Sequence, residues 1–364
     1  MDIEQVDELL KLIVDKGASD LHLKVPSPPV LRIDGVLIPQ EDWPPVTPKD
    51  IEMVFEHITT QSQRETFLRE MELDFAYSLP GLARFRVNVL KQRGTWGLAF
   101  RLVPFIILSL DELGLPQILK ELVLKPRGLI LVTGPTGSGK STTLAGMINH
   151  LNETKKQNVI TIEDPIEFLY RDKRCIIAQR DLGDDTKSFS AALIHAMRHD
   201  PDVIVIGEMR DLTTISAAMT AAETGHLVLG TLHTIDAPQS IDRIIDVFPH
   251  GQQQQIRVQL SQVIEAVLSQ TLLPRIGGGR IAAFEIMLTN SVIRRLIRDE
   301  KIFEISANIE FGILEGMRTL DQALTDLVKR GIVTQEEAIM RSSNPARLRQ
   351  HMQSQDESSE LLRL

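Results

Sequence analysis

The segment GPTGSGKST, residues 134–142, limits what this chain can fold into more than any other stretch. It fits G-x-x-x-x-G-K-[ST] at Gly134, Gly139, Lys140 and Ser141. An apolar run, GLILVTG, leads into it, and a proline-free helical pattern, TTLAGMINHLNETK, leads out. Strand, glycine loop and helix in that order form a phosphate cradle. Glycines let successive N–H groups turn inward, and the helix N-terminus adds positive potential. Gly134, Pro135, Thr136, Gly137, Ser138, Gly139, Lys140, Ser141 and Thr142 are therefore the candidate nucleotide-binding residues. Lys140 reaches the β- and γ-phosphates in such loops, and the Ser141 hydroxyl takes one Mg²⁺ position, which implies ATP and Mg²⁺.

Holding a phosphate is not hydrolysing it; a group must also orient water. DPDVIVIGE sets Glu208 at the C-terminal end of an apolar strand, where open α/β sheets bind ligands. A carboxylate there can polarise the attacking water. Many strands of this kind end in Asp-Glu, but here Gly207 holds the Asp position. Metal support must then come from Ser141 with an acid, and Glu163 and Asp164, ending VITIED, are the candidates. His226 and His233 flank the strand in GHLVLGTLHT. Either imidazole could hydrogen-bond a γ-phosphate, although seven residues apart in one regular strand they face opposite sides.

Around these motifs, apolar runs alternate with helical patterns from residue 128 to about 245, which predicts a parallel sheet covered on both faces. Beyond 252 the pattern predicts mostly helix, over 252–268, 290–298, 319–330 and 334–341. The first hundred residues read as a smaller α+β unit: an amphipathic helix over 3–16, strands from SDLHLKV and from a hairpin turning at Asp34-Gly35, and helices over 49–58 and 61–71. In ARFRVNVL and TWGLAFRLV the apolar residues take one face, leaving Arg84, Arg86 and Arg101 on the other. Pro104, Pro116 and Pro126 punctuate a connection over 104–127, read as a flexible joint.

Charge narrows the partners. Forty basic residues against 49 acidic ones give a net −9, without the basic face of a nucleic-acid reader. The single cysteine, Cys175, excludes a disulfide framework and suits a reducing compartment. The acidic start MDIEQVDELL is unlike a signal peptide, and no apolar run approaches the roughly 20 residues that span a bilayer. A cytoplasmic chain is expected.

GPTGSGKSTTLA, ITIEDPIEF, DPDVIVIGEMRD and GHLVLGTLHT, in this order, resemble the Walker A, Asp-box, Walker B and His-box segments of the secretion ATPase superfamily. GASDLHL, ARFRVN, TAAETGHLV, IDRIIDVFP, SQTLLPRIGGGRIAAFEIM and GMRTLDQAL extend the likeness to the type IV pilus retraction ATPases, over about residues 3–340. The resemblance implies a PAS-like α+β domain over 1–103 and, past the connection at 104–127, a RecA-like P-loop ATPase core over 128–290. A C-terminal helical region over 291–351 and a polar tail over 352–364 complete the reading. It also implies a homo-hexameric ring in which Arg84, Arg86 and Arg101 of one subunit reach a nucleotide held by its neighbour. The motor would retract pili in twitching motility, acting on an inner-membrane platform protein from the cytoplasmic side and touching the membrane through partners only. A four-cysteine zinc insert and a long N-terminal region, typical of pilus-assembly and type II secretion relatives, are not seen. Where retraction ATPases carry an AIRNLIRE-like motif, this chain has SVIRRLIRDE, Ser291–Glu300, with Arg295 for the polar residue and Asp299 for the longer acid. The helix period survives, with Val292, Ile293, Leu296 and Ile297 expected on one side. An accessory retraction paralogue would share the same core.

Overall fold

The computed structural model describes residues 3–33, 35–103, 106–346, 348 and 349. Asp34, Pro104 and the tail over 352–364 lie outside the described residues. The chain divides into two compact units, one of Met1–Ile106 with Pro165–Leu169, the other of Ile107–Asp164 with Tyr170–Leu364.

The first unit contains α1 (Ile3–Asp15), β1 (Asp20–Lys24), β2 (Val30–Ile33), β3 (Val36–Pro39), α2 (Pro48–Ile58), α3 (Gln61–Glu70), β4 (Glu72–Leu79), β5 (Ala83–Gln92) and β6 (Thr95–Val103). Its sheet is antiparallel throughout, in the order β3-β2-β1-β6-β5-β4. Thr47 and Thr60 start α2 and α3 with reciprocal capping boxes, satisfying N–H groups that the helices cannot. Leu21, Leu23, Phe85, Val87, Val89, Leu98 and Phe100 are buried from the sheet and pack with Leu9, Leu10 and Phe55 from the helices. Phe55, Phe67 and Trp96 meet at centroid distances of 5.0–5.3 Å. The strand β4, absent from the sequence reading, alternates too weakly for its period to stand out: only Phe75 is buried.

The second unit contains α4 (Ile118–Val123), β7 (Gly128–Thr133), α5 (Lys140–Thr154), β8 (Asn158–Glu163), β9 (Ile176–Asp181), α6 (Phe189–Ala196), β10 (Val203–Ile206), α7 (Leu212–Glu223), β11 (Leu227–Leu232), α8 (Ala237–Asp246), α9 (His250–Val263), β12 (Ile264–Pro274), β13 (Arg280–Leu288), α10 (Ser291–Arg298), α11 (Ile305–Phe311), α12 (Leu320–Lys329) and α13 (Gln335–Arg341). Its sheet runs β13-β12-β7-β11-β10-β8-β9. All neighbours are parallel except β12–β13. It is an α/β unit with every residue of β7, β10 and β11 buried, as parallel strands covered on both faces require.

Three expectations need correcting. The helix expected over 252–268 stops at Val263, and the chain continues as the buried strand β12. The run IEAVLSQTLL breaks its apolar residues with Glu265 and with Ser269-Gln270-Thr271, without a strict alternation, and so carries no period that marks a strand. Its partner β13 returns after a turn at Gly277, Gly278 and Gly279, all at positive φ. Residues 107–127 are not a free joint: Leu110, Leu115, Leu119, Leu122 and Val123 are buried in the second unit's core. Leu110 and Leu113 come so close to Gly146 of α5 that a Cβ there would lie 3.0 and 3.3 Å from them. Finally, α10 buries Ile293, Leu296 and Ile297 but leaves Val292 46% exposed.

Candidate functional site

The phosphate loop joins β7 to α5. Gly139 is the N-cap of α5 at φ +90°, left-handed backbone that glycine adopts without strain. Gly134 sits at φ +142°, where a Cβ would collide with the Gln270 carbonyl oxygen and stand 2.7 Å from Ser138 Oγ. Lys140 Nζ donates to the carbonyls of Gly134 (2.8 Å) and Pro135 (3.1 Å), so the ammonium lies over its own loop. Gln270, on β12 and 3% exposed, donates from Nε2 to the Ser138 carbonyl (2.6 Å) and accepts from Thr143 Oγ1 (2.8 Å). Sequence reasoning missed this residue because it missed its strand.

Parallel β7, β11, β10 and β8 end together. Thr133 pairs with Leu232, Ile206 with Gly230, and Ile206 with Ile162, so the residues that follow each strand collect at one edge of the sheet. Glu208 and His233 meet there, His233 Nε2 lying 3.1 Å from Glu208 Oε1. Arg210 Nε also pairs with that oxygen. Burial by itself would raise the Glu208 carboxyl, but the hydrogen bond to Arg210 and the neighbouring His233 hold it below the ordinary carboxylate range. The carboxylate is thus kept ionised, as a group that orients water must be. Arg210 was overlooked in the sequence, where only its place two residues after the acid marked it.

The missing Asp has a steric reason. A Cβ at Gly207 would lie 3.1 Å from the Ile162 carbonyl oxygen and 3.2 Å from Glu163 Cα, both backbone atoms of the adjoining strand. Glu163 ends β8 and accepts from Thr161 Oγ1 at 2.6 Å and from Gln179 Nε2 at 3.3 Å. Asp164 is exposed, and its charge helps hold Arg210 protonated, after Glu208 itself. No group of three or more His, Cys, Asp or Glu residues able to hold a metal occurs among the described residues. A hydroxyl and scattered carboxylates suit Mg²⁺, which favours few protein ligands and completes its octahedron with phosphate oxygens and water. Ser141 with Glu163 or Asp164 would hold such an ion only together with a nucleotide.

Of the two histidines, only His233 is gathered at this edge. His226 precedes β11, at the end opposite the loop: Leu227 pairs with Gly128, the first residue of β7, and Leu232 with Thr133, the last. Its Nδ1 lies 2.8 Å from the Ala221 carbonyl and 3.2 Å from Thr224 Oγ1, partners that tie it to the end of α7. The structure thus sets His226 away from the phosphate loop, six residues of strand from His233. Arg84, Arg86 and Arg101 belong to the first unit. Arg86 pairs in register with Arg101, Arg101 with Asp20, and Asp20 with Arg32, forming one row of side chains across four strands. Arg101 Nε bonds Asp20 Oδ1 at 2.8 Å, and Arg32 Nε lies 3.7 Å from Oδ2. Arg84 Nη1 reaches Ser78 Oγ at 3.4 Å.

The family described as Type II/IV secretion system protein matches residues 3–278. The chain belongs to this family. Within it, a Pseudomonas aeruginosa protein described as type IV pilus retractation ATPase PilT is 47% identical over 340 residues, 93% of this chain and 98% of that one. The type IV pilus ATPase PilU of the same organism is 38% identical over 98% of this chain and 94% of its own. Among solved structures, the pilus retraction motor PilT with bound ADP superposes at a TM-score of 0.88 and 44% identity, covering 96% of this chain and 99% of that one. Each of these three covers more than nine tenths of this chain.

Proposed function

We propose that this chain hydrolyses ATP and, as a homo-hexameric ring, drives type IV pilus retraction and so twitching motility. One observation carries the chemistry: Glu208, ionised and fixed by Arg210 and His233, stands at the same sheet edge as a complete phosphate loop. The loop amides and Lys140 bind the triphosphate, and Glu208 aligns the attacking water. His233 and Arg210, sharing one carboxylate oxygen, hold it in place and stand ready to hydrogen-bond the γ-phosphate. Bound Mg²⁺, coordinated at Ser141, would neutralise charge on the β- and γ-oxygens.

The ring reading draws on the arginine row. Arg32, Arg101 and Arg86 stand in line with one acid, Asp20, leaving positive charge on an exposed sheet face. A neighbouring subunit's phosphates would use that charge, with Arg84, Arg86 and Arg101 as the donors. A nucleotide bound more tightly in one arrangement of the ring can bias its shape, which is the source of force. Retraction is favoured by the 47% identity to a retraction ATPase over nearly both full lengths. No helix among the described residues is long and apolar enough to cross a membrane. A cytoplasmic ring acting through an inner-membrane platform protein, with no nucleic-acid partner, fits that finding and the −9 charge.

An accessory retraction paralogue is favoured by one observation, the SVIRRLIRDE segment. Its two departures pair with each other, Arg295 Nε lying 3.2 Å from Asp299 Oδ2 on the surface of α10. Phosphate release by the parent beside Glu208→Gln tests the chemistry, and equal rates would remove Glu208 from its role. Mixing Arg86→Ala with Lys140→Ala subunits tests sharing of sites, since shared sites recover activity in the mixture. Deleting the gene and counting surface filaments tests direction: many immobile pili support retraction, and bald cells oppose it.

A further inference from the structure

The loop that cradles phosphate is held from outside by one buried side chain. Gln270 uses both ends of its amide, Nε2 donating to the Ser138 carbonyl at 2.6 Å and Oε1 accepting from Thr143 Oγ1 at 2.8 Å. Next to it, Ser269 Oγ accepts from Thr133 Oγ1 at 2.9 Å, so β12 grips the chain just before the loop as well as after it. Both structurally special glycines face the same residue. A Cβ at Gly134 would meet the Gln270 main-chain oxygen, and one at Gly139 would lie 3.0 Å from Gln270 Nε2.

We propose that Gln270 is a positioning residue for nucleotide binding: by anchoring the Ser138 carbonyl it aims the Gly139 amide at the β-phosphate. The peptide group supplies the reason. In a planar trans peptide the C=O of one residue and the N–H of the next point in opposite directions. Holding the Ser138 carbonyl toward β12 therefore turns the Gly139 N–H the other way, into the concave side of the loop. Without that anchor the peptide can rotate, because Gly139 has no side chain to resist it. The cost of ordering would then fall on binding. Thr143 plays a different part: its hydroxyl occupies Gln270 Oε1 and so leaves Nε2 directed at Ser138.

The inference rests on the phosphate loop's binding a nucleotide, and it concerns the β-phosphate, which ATP and ADP share. Gln270→Leu removes both bonds at similar volume. It should weaken ADP and ATP by the same factor, roughly ten- to a hundredfold for one buried bond, while turnover at saturating ATP stays within about threefold. Gln270→Glu separates the two bonds. Its ionised carboxylate still accepts from Thr143 but cannot donate to Ser138, whereas the protonated acid can.

The experiment is ADP titration of the parent and both variants at several pH values, with folding checked by circular dichroism. Gln270→Glu should bind worse than Gln270→Leu at alkaline pH, where its charge repels the Ser138 carbonyl, and overtake it at low pH, a crossover that neither loss of packing nor relief of charge alone produces. Should Gln270→Leu bind ADP like the parent, or Gln270→Glu never overtake Gln270→Leu as pH falls, Gln270 has no positioning role. If Gln270→Leu does not fold, Gln270→Glu at low pH decides: parent-like ADP binding supports the role, and binding that stays weak overturns it. A parent that binds no ADP overturns the proposed function and this inference together.

Discussion

Arg86 on β5 stands directly opposite Arg101 on β6, two guanidinium groups on one face of an antiparallel pair. Like charges in that position are destabilising unless something uses them. Asp20, on the other side of Arg101, bonds that arginine and leaves Arg86 exposed. Replacing Arg86 with Ala should therefore leave thermal stability unchanged or raise it by about 0.2–1 kcal/mol. The same change should lower phosphate release by about a thousandfold, the usual scale for an arginine lent to phosphoryl transfer. A loss of melting temperature with hydrolysis intact would place Arg86 in the fold and not in the site.

Glu208 is held ionised below the ordinary carboxylate range by Arg210 and His233 against the effect of burial. In the proposed role the working form is the anion, so hydrolysis should persist as pH falls through the range near 4.3 where a free Glu protonates. Arg210→Gln removes the first of those supports and should move the acid limb of the rate profile to higher pH. Steady-state rates across pH, taken where circular dichroism reports folded protein, check it; an unmoved limb would show that Arg210 does not tune Glu208.

On β13, Glu285 is 8% exposed and accepts from the Ala237 amide at 2.8 Å. Burial pushes its carboxyl up to about 7; the Ala237 amide opposes the rise, and the Asp236 and Asp321 charges add to it. A folded value above the unfolded one means the native state keeps a proton that the unfolded chain releases. Its stability contribution is present at pH below about 4.5 and is lost as pH rises to about 7. Glu285→Gln keeps an acceptor for the amide and cannot ionise. It should melt higher than the parent at about pH 8, by at most roughly 3 kcal/mol, with the gain shrinking toward pH 5. A gain independent of pH would contradict the raised carboxyl.

The two arginines of α10 differ in kind. Arg294 Nη1 donates to the carbonyls of Ser261 (2.6 Å) and Gln262 (2.8 Å), and Nη2 to Glu265 Oε1 (3.0 Å), tying α10 to the end of α9. Arg295 pairs with the exposed Asp299 four residues on, at the surface of the same helix. Arg294→Ala should cost about 1–3 kcal/mol, since carbonyl acceptors lose a charged donor, and Arg295→Ala no more than about 0.5. Denaturant melts of the two variants compare them directly, and equal losses would contradict the assignment.

Motifs that act through local chain geometry were legible without a structure. The phosphate loop announces itself because its glycines, lysine and hydroxyl must follow one another along the backbone. The arginine face of β5 and β6 shows in strict alternation. Buried parallel strands show as continuous apolar runs between helices. Long-range pairing was not legible. Strand β12 lies beside β7 only in the folded sheet, and its run carries no period that separates it from helix. Gln270 therefore looked like one of three consecutive polar residues, Ser269-Gln270-Thr271, until register brought it against Ser138 and Thr143. The histidines divide the same way: sequence placed His226 and His233 around one strand, but only the direction of β11 decided which of them meets Glu208. The chain by itself determined which chemistry is carried, because covalent neighbours write it. Tertiary structure alone decided which groups touch, because contacts between distant residues depend on strand order and register that local composition does not encode.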